Sequence, residues 1–339
     1  MKLGASYFGN RILRHVKEDM GKMVRDGCNF VVHTMSEHDV AYHSRNMVDI
    51  VTVSRELGLE VFLDPWGVGR VFGGESFSTF VKQFPDSRQR LSFTEGDIKV
   101  NKACLNAKPF RDAMLKWIEL AAHTGAEGVF WDEPHLYYGE LSDLFGKKKI
   151  VWGCTCRTCE ALFRDCYGYE MPREFTEEVK AFRQNTIVDF IGFLSEASAK
   201  QGLRNSICVL PMPEPKYGLY QWEKIAQIEN IDIFGSDPYW FCYEKEVEDF
   251  VGRISQEVVR LCERYQKEPQ IWIQAFRVPQ GRESEVSTAI GTAFDSGVKN
   301  MATWCFDAGA CMSYISSDRP EIVWDTVSKK YQALQTGSA

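Results

Sequence analysis

The chain has 339 residues, 44% hydrophobic and 13% aromatic, enough to bury a large core and still line a cleft with rings. Forty basic residues stand against 47 acidic ones, a formal net charge of −7. That balance gives no electrostatic footprint for nucleic acid or an anionic membrane, and a neutral or weakly charged ligand fits better.

The first apolar run, LGASYF at 3–8, begins so early that no charged segment and apolar leader precede it, and no uncharged apolar stretch of 18 residues occurs. The expected location is cytoplasmic. Eleven cysteines, an odd number, point to reduced thiols or metal ligation rather than a disulfide framework. Further apolar, β-rich runs follow at 29–34, 59–64, 127–132, 205–211, 231–237, 269–275 and 300–306. Their nearly continuous apolar character is what a parallel sheet covered on its outer face requires.

Between the runs, Ile12, Val16, Met20 and Met23 recur at helical spacing, as do Ile187, Phe190, Ile191 and Leu194. Gly27, Gly58, Gly125, Gly202 and Gly297 fall where these helices should stop. Eight strand-helix units in alternation predict α/β architecture: a single (β/α)₈ TIM barrel spanning 1–339 as one domain. The segments 65–107 and 133–175 are longer than barrel closure needs. They leave the C-terminal ends of strands three and four, so the site is expected beneath them.

The second long segment carries WGCTCRTCEALFRDCYGYEMP, in which Cys154, Cys156 and Cys159 form C-x-C-x-x-C. Three thiolates that close in sequence can converge on one tetrahedral zinc ion and need a single further ligand. Cys104 in NKACLNAKPF is the natural fourth, with Cys166 as the alternative; ordinary buried thiols are the competing reading. Four sulfur ligands would make a closed, structural Zn2+ site that pins the two long segments together.

A cysteine before the third helix, followed one strand-helix unit later by C-x-C-x-x-C-x-x-x-F and Y-G, resembles the zinc site of glycoside hydrolase family 42, the β-galactosidases of clan A. Cys104, Cys154, Cys156, Cys159, Phe163 and the Tyr167-Gly168 pair carry the resemblance, which extends over the barrel from about Leu3 to Trp324. It implies a glycoside hydrolase acting on a carbohydrate or glycoside, with no organic cofactor. It also implies a general acid/base glutamate at the end of strand four, where this chain reads Trp131-Asp132-Glu133-Pro134, so Glu133 takes that position and Asp132 replaces the family's asparagine.

The residues themselves agree. A carboxyl at a strand end under an aromatic lid is desolvated, which raises its pKa toward that of a proton donor near neutrality. Asp132 beside it would strengthen the effect if both faced one cavity, although neighbouring strand residues normally face opposite ways; otherwise Asp132 caps the following turn.

Glycoside hydrolysis needs a second carboxylate. The family's nucleophile is a glutamate ending strand seven, where this chain reads IWIQAF and offers Gln274, an amide that cannot form a glycosyl ester. Asp237, ending strand six in IDIFGSDPYW, is the preferred substitute because it can look across the barrel mouth toward strand four. Gln274 would then bind a sugar hydroxyl or the reacting water. Asp64, Glu214 and Asp307 also follow strands, where an aspartate often only caps a helix start.

Trp66, Trp131, Tyr137, Tyr138, Tyr239, Trp240 and Trp304 fall at or just past strand ends, where rings can stack on pyranose C–H faces or simply fill core. His33, His135 and Arg277 could bind substrate hydroxyls. No G-x-G-x-x-G, phosphate-binding loop, nucleophile elbow or paired-histidine motif occurs. Two rival readings remain: a sugar-binding barrel without catalysis, for which the missing strand-seven glutamate argues, and a barrel lyase or isomerase, which would need a lysine or metal-binding carboxylates at strand ends.

Overall fold

Each of the eight apolar runs has a packed layer on both sides, which is why alternation with polar residues is absent. In the computed structural model, which describes residues 1–8, 10–93, 96–142 and 146–337, they form β1 (Lys2–Tyr7), β2 (Phe30–Thr34), β3 (Glu60–Asp64), β4 (Gly128–Asp132), β5 (Arg204–Val209), β6 (Ile233–Ser236), β7 (Glu268–Gln274) and β8 (Asn300–Trp304). All pair in parallel and close into a barrel, β8 lying between β7 and β1. The (β/α)₈ architecture read from the alternation is therefore the one observed.

Inward and outward positions divide the apolar residues into two clusters. Phe30, Phe62, Phe130, Trp272 and Trp304 fill the barrel, while Leu63, Trp131, Ile207 and Ile271 meet the helices outside. Each large buried side chain contributes roughly 1.5–3 kcal/mol. At the N-terminal face the interior is closed by charge: Glu60 bridges Lys2 and Arg204 at 2.9 Å each, and Arg204 reaches Glu268 at 3.0 Å.

The outer ring is α1 (Leu13–Arg25), α2 (Ser44–Glu56), α3 (Lys108–His123), α4 (Glu177–Lys200), α5 (Glu223–Ala226), α6 (Val247–Tyr265), α7 (Ser284–Asp295) and α8 (Pro320–Thr336). The chain leaves α1 through Gly27 at φ 97°, where an added Cβ would press on Tyr331 of α8 at 3.1 Å. The fifth helix is only one turn. Pro211 and Pro213 lie in the connection ahead of it, and Pro215 opens a single 3₁₀ turn over Pro215–Tyr217. No helix among the described residues is long and apolar enough to cross a membrane.

The two long segments fold onto each other. The first forms a hairpin from Arg88–Arg90 and Lys99–Ala103, and the second a hairpin from Tyr138–Ser142 and Lys148–Trp152 followed by a helix over Arg157–Tyr167. Leu91 bridges Gly153, Ser92 N donates to Trp152 O at 2.9 Å, and Thr155 N to Arg90 O at 2.9 Å. The base of the first segment is anchored by Glu37, whose carboxylate accepts from Gly69 N, Ser78 Oγ, Thr79 N and Oγ1, and Phe80 N at 2.6–2.8 Å.

Candidate active site

Along β4, Phe130 points into the barrel, Trp131 out and Asp132 in. Glu133 should then point out, but its backbone is left-handed, φ 40°, and its carboxyl joins Asp132 at the barrel mouth. Such a conformation costs a non-glycine residue about 1–2 kcal/mol. It is held from both sides: Glu133 N donates to Cys208 O at 3.1 Å, and Glu133 O accepts from His135 Nδ1 at 2.7 Å. That fixes the tautomer, so His135 Nε2 accepts from Lys102 Nζ at 2.6 Å. Burial, then Lys102, pushes His135 down to about 3, so the ring is neutral. Burial, then Arg70, pulls Lys102 down to about 7, while Glu133 acts the other way.

A cavity of about 250 Å³ opens here, lined by Glu75, Asp132, Glu133 and Asp237 together with Tyr239, Tyr243, Phe276 and Trp304. The carboxyls of Asp237 and Glu133 are neighbours there. Burial first, then the neighbouring Glu133 charge, hold Asp237 well above the usual carboxylate range. Asp132 is raised by burial, then by Asp64 and Glu133; Asp64 by burial and then Glu75; Glu75 by burial, partly offset by its own backbone N–H and the Trp66 indole. Asp132 thus stands between two carboxyl pairs, Asp64 with Glu75 and Glu133 with Asp237.

For an acid whose folded pKa lies above its unfolded value of about 3.9, the folded state holds the proton more tightly. Its contribution to stability is complete below that value and is lost as pH rises toward the folded one. Asp64 is fully buried with both carboxyl oxygens unpartnered. Asp64→Asn is therefore expected to raise the melting temperature by about 2–4 °C at pH 8 and by less at pH 5. Calorimetric melts at both pH values check this.

Gly73 and Gly74 bring the loop bearing Glu75 over the cavity. Gly73 N donates to Asp132 O at 3.0 Å, and a Cβ at position 73 would overlap Asp132 Oδ2. Gly73→Ala should displace that carboxyl and lower kcat/KM about tenfold or more, with little change in melting temperature, measured on whatever glycoside the wild type turns over.

The other sequence candidates divide. Tyr239 and Trp304 line the cavity, and Trp66 stacks on Phe8 at its edge, 5.4 Å between centroids. Gln274 does not present its amide to the cavity: Oε1 accepts from Phe241 N at 3.0 Å and Nε2 donates to Phe276 O at 3.1 Å, so it braces the backbone instead of binding a hydroxyl or water. Trp240 is fully buried in the outer core with its indole on Glu285 at 2.9 Å, which corrects its reading as a sugar-facing ring. Trp131, outward by strand alternation, donates to Asn205 Oδ1 at 3.0 Å.

Asp307 pairs with Lys22 at 2.7 Å beside a separate hollow under β1. Arg277 lies on the Tyr314 ring, 4.4 Å from its centroid. Tyr137 is held through its backbone, N to Gln89 Oε1 and O to Gly153 N, and is not among the cavity residues. Neither is His135, which supports Glu133 from behind. His33 bonds Ser54 Oγ at 2.9 Å within the structure. Glu75, Tyr243 and Lys102 were not singled out from sequence; the Gly73-Gly74 pair, a mark of close backbone approach, was the one available signal for the first.

Away from the cavity, Cys104, Cys154, Cys156 and Cys159 bring their sulfurs within 4.8 Å of one another, and Cys166 is exposed and outside the group. Cys104 Sγ lies 3.6 Å from Cys156 Sγ and 3.5 Å from Cys159 Sγ. Zn–S bonds near 2.3 Å set tetrahedral S···S separations at about 3.8 Å, so the four fit a zinc ion. Cys156 sits at the N-cap of the Arg157–Tyr167 helix and Asn106 Nδ2 donates to Cys159 Sγ at 3.4 Å, both favouring thiolate. Hydrogen bonds from Cys104 and its neighbours push Cys156 far down while Cys104 and Cys159 are raised. Fully buried Arg183, brought down to about 9 by burial, donates to Gly153 O at 2.8 Å, Tyr137 O at 3.0 Å and Lys216 O, tying this centre to the loop after β5.

No protein-family model matches the chain, and no curated protein matches it in sequence. Solved structures do match in shape. One is a β-galactosidase from the psychrophilic Marinomonas ef1, with TM-score 0.72 and 13% identity over 100% of this chain and 60% of that one. What these structures share with the chain is the (β/α)₈ barrel fold. An endo-β-1,4-mannanase from Thermotoga petrophila matches with TM-score 0.61 and 11% identity over 100% and 77% of the two chains. An endo-1,4-β-mannanase from Rhizomucor miehei matches with TM-score 0.62 and 10% identity over 99% and 95%. At these identities the likeness is one of fold, and this chain spans less than two thirds of the β-galactosidase.

Proposed function

We propose that the chain is a glycoside hydrolase in which Glu133 is the general acid/base and Asp237 the second carboxylate. The observation that carries this reading is a pair of carboxyls, Glu133 and Asp237, lining one ring-lined cavity at the C-terminal mouth of the barrel. Two carboxyls in contact leave no space for an anomeric carbon, so a bound sugar must part them. Retaining enzymes keep the pair about 5–5.5 Å apart and inverting ones about 6.5–9.5 Å. The smaller movement leads to retention, and Asp237 is then the nucleophile.

With the sugar bound, Glu133 in its protonated form donates to the glycosidic oxygen as Asp237, ionised, attacks the anomeric carbon; Glu133 then takes a proton from water as that water displaces the ester. His135 and Lys102 hold the Glu133 backbone in place throughout. Trp304 and Tyr239 offer stacking faces to the sugar. Cys104, Cys154, Cys156 and Cys159 would hold a zinc ion, which would supply a fixed junction between the two long segments away from the cavity. Four reduced thiols suit a cytoplasmic location.

The test is turnover of 4-nitrophenyl glycosides of both anomers, followed by proton NMR of the first-formed product. Hydrolysis with retained configuration supports the reading. No turnover of any glycoside, with a neutral sugar bound tightly, would replace it by a carbohydrate-binding barrel.

A further inference from the structure

Hydrolysis uses two carboxyls, and the cavity has five at or beneath it. Asp64, Glu75 and Asp132 remain once Glu133 and Asp237 have their roles. Asp64 is fully buried and both its oxygens are unpartnered, as is Glu75 Oε2. Strand alternation aims Asp64 inward, since Phe62 lies in the barrel interior and Leu63 among the helices. A carboxyl can accept from a sugar hydroxyl, but an amide or hydroxyl would bind it without the desolvation cost of burying this many acids together.

Arg70 and Arg277 act on Glu75, and Lys102 on Glu133, only through space, without a direct ion pair. Arg70 Nη1 is held by Gly74 O and Ser76 O, Arg277 lies on Tyr314, and Lys102 is bound to His135. Among the described residues none of the five carboxyls forms an ion pair with a protein cation. A metal ion is a poor match as well: among the described residues, the four cysteines are the only group whose ligand atoms converge tightly enough to hold one. The acids are spread around a cavity of about 250 Å³ that also presents Tyr239, Tyr243, Phe276 and Trp304. Dispersed carboxyls with aromatic faces suit an organic cation attached to a ring, because an ammonium has three donors and is attracted to π faces.

We propose that the sugar taken by this cavity carries a free amino group, its ammonium seated between Asp132 and Glu75 with Asp64 behind them. This rests on the glycoside hydrolase reading and names its substrate class: glycosides of unsubstituted amino sugars. Burial disfavours the ionised form of Asp64 and Asp132 and a bound cation favours it, so binding is expected to release protons to the buffer.

Isothermal titration calorimetry of the full chain at pH 7 with glucosamine, galactosamine, glucose, galactose and N-acetylglucosamine tests it, in phosphate and in Tris. One of the two amino sugars is expected to bind at least tenfold more tightly than its neutral counterpart and than the N-acetyl sugar. Its apparent enthalpy should differ between the buffers in the sense of proton release. Asp64→Asn should reduce the preference for the amino sugar over its neutral counterpart at least fivefold. Equal affinity for amino and neutral sugars, a buffer-independent enthalpy, or no binding of either amino sugar would each overturn the proposal. The hydrolase reading would then still be decided separately, by turnover of neutral aryl glycosides.

Discussion

Glu133→Gln is expected to lower kcat/KM on 4-nitrophenyl glycosides by about 10²–10⁴-fold, the range general acid/base catalysis supplies, while the melting temperature moves little. Glutamine keeps the shape and the backbone bonds to Cys208 O and His135 Nδ1, so a collapse of the fold cannot mimic the effect. The leaving group separates the roles. A 2,4-dinitrophenyl glycoside departs without a proton, so its glycosylation step should be much less impaired in Glu133→Gln. Asp237→Asn should lose activity on both substrates to the same large extent, because an amide cannot form the glycosyl ester. If the dinitrophenyl substrate were spared in Asp237→Asn and not in Glu133→Gln, the two carboxyls would exchange roles. Steady-state kinetics of the four enzyme and substrate combinations decides.

What could be read from sequence was whatever position along a strand determines. The eight strands were legible because each is apolar on both faces, and Glu133 and Asp237 stood out because they end β4 and β6. Direction beyond the strand end was not legible. Asp132 and Glu133 share one cavity only because Glu133 is left-handed, a conformation that nothing in WDEP announces. Trp240 and Tyr239 look alike in sequence, yet one turn of chain sends the first into the outer core and the second over the cavity. Gln274 occupies the strand-seven position but turns its amide onto the backbone of Phe241 and Phe276. Glu75 and Lys102 enter from the loop after β3, whose path is set by Glu37 and by the zipper of the two long segments, contacts between residues far apart in the chain. The four cysteines were the opposite case. Their spacing is local apart from Cys104, and the choice between Cys104 and Cys166 is settled in geometry by the exposure of the latter.

Metal removal should have the second large effect. The purified chain is expected to hold one zinc per molecule by elemental analysis, and Cys104→Ser, or prolonged treatment with a strong chelator, should lower the melting temperature by about 10 °C. Loss of a structural metal is among the few single changes worth more than 4–5 kcal/mol, and a chain of this size shifts about 2–4 °C per kcal/mol. Cys104 directly follows the strand Lys99–Ala103, and its partners lie in the segment after β4, so an ion held by the four would clamp two loops that otherwise meet through a few backbone bonds. Releasing the clamp should expose the segment around 138–152 to limited proteolysis before the barrel itself melts. It should also weaken turnover, because Lys102 stands two residues from Cys104 and braces Glu133 through His135. Cys166→Ser is the control: exposed and outside the cluster, it should retain the zinc, the melting temperature and the protease resistance. Equal losses from Cys166→Ser and Cys104→Ser would show that the four sulfurs do not hold the ion as a unit.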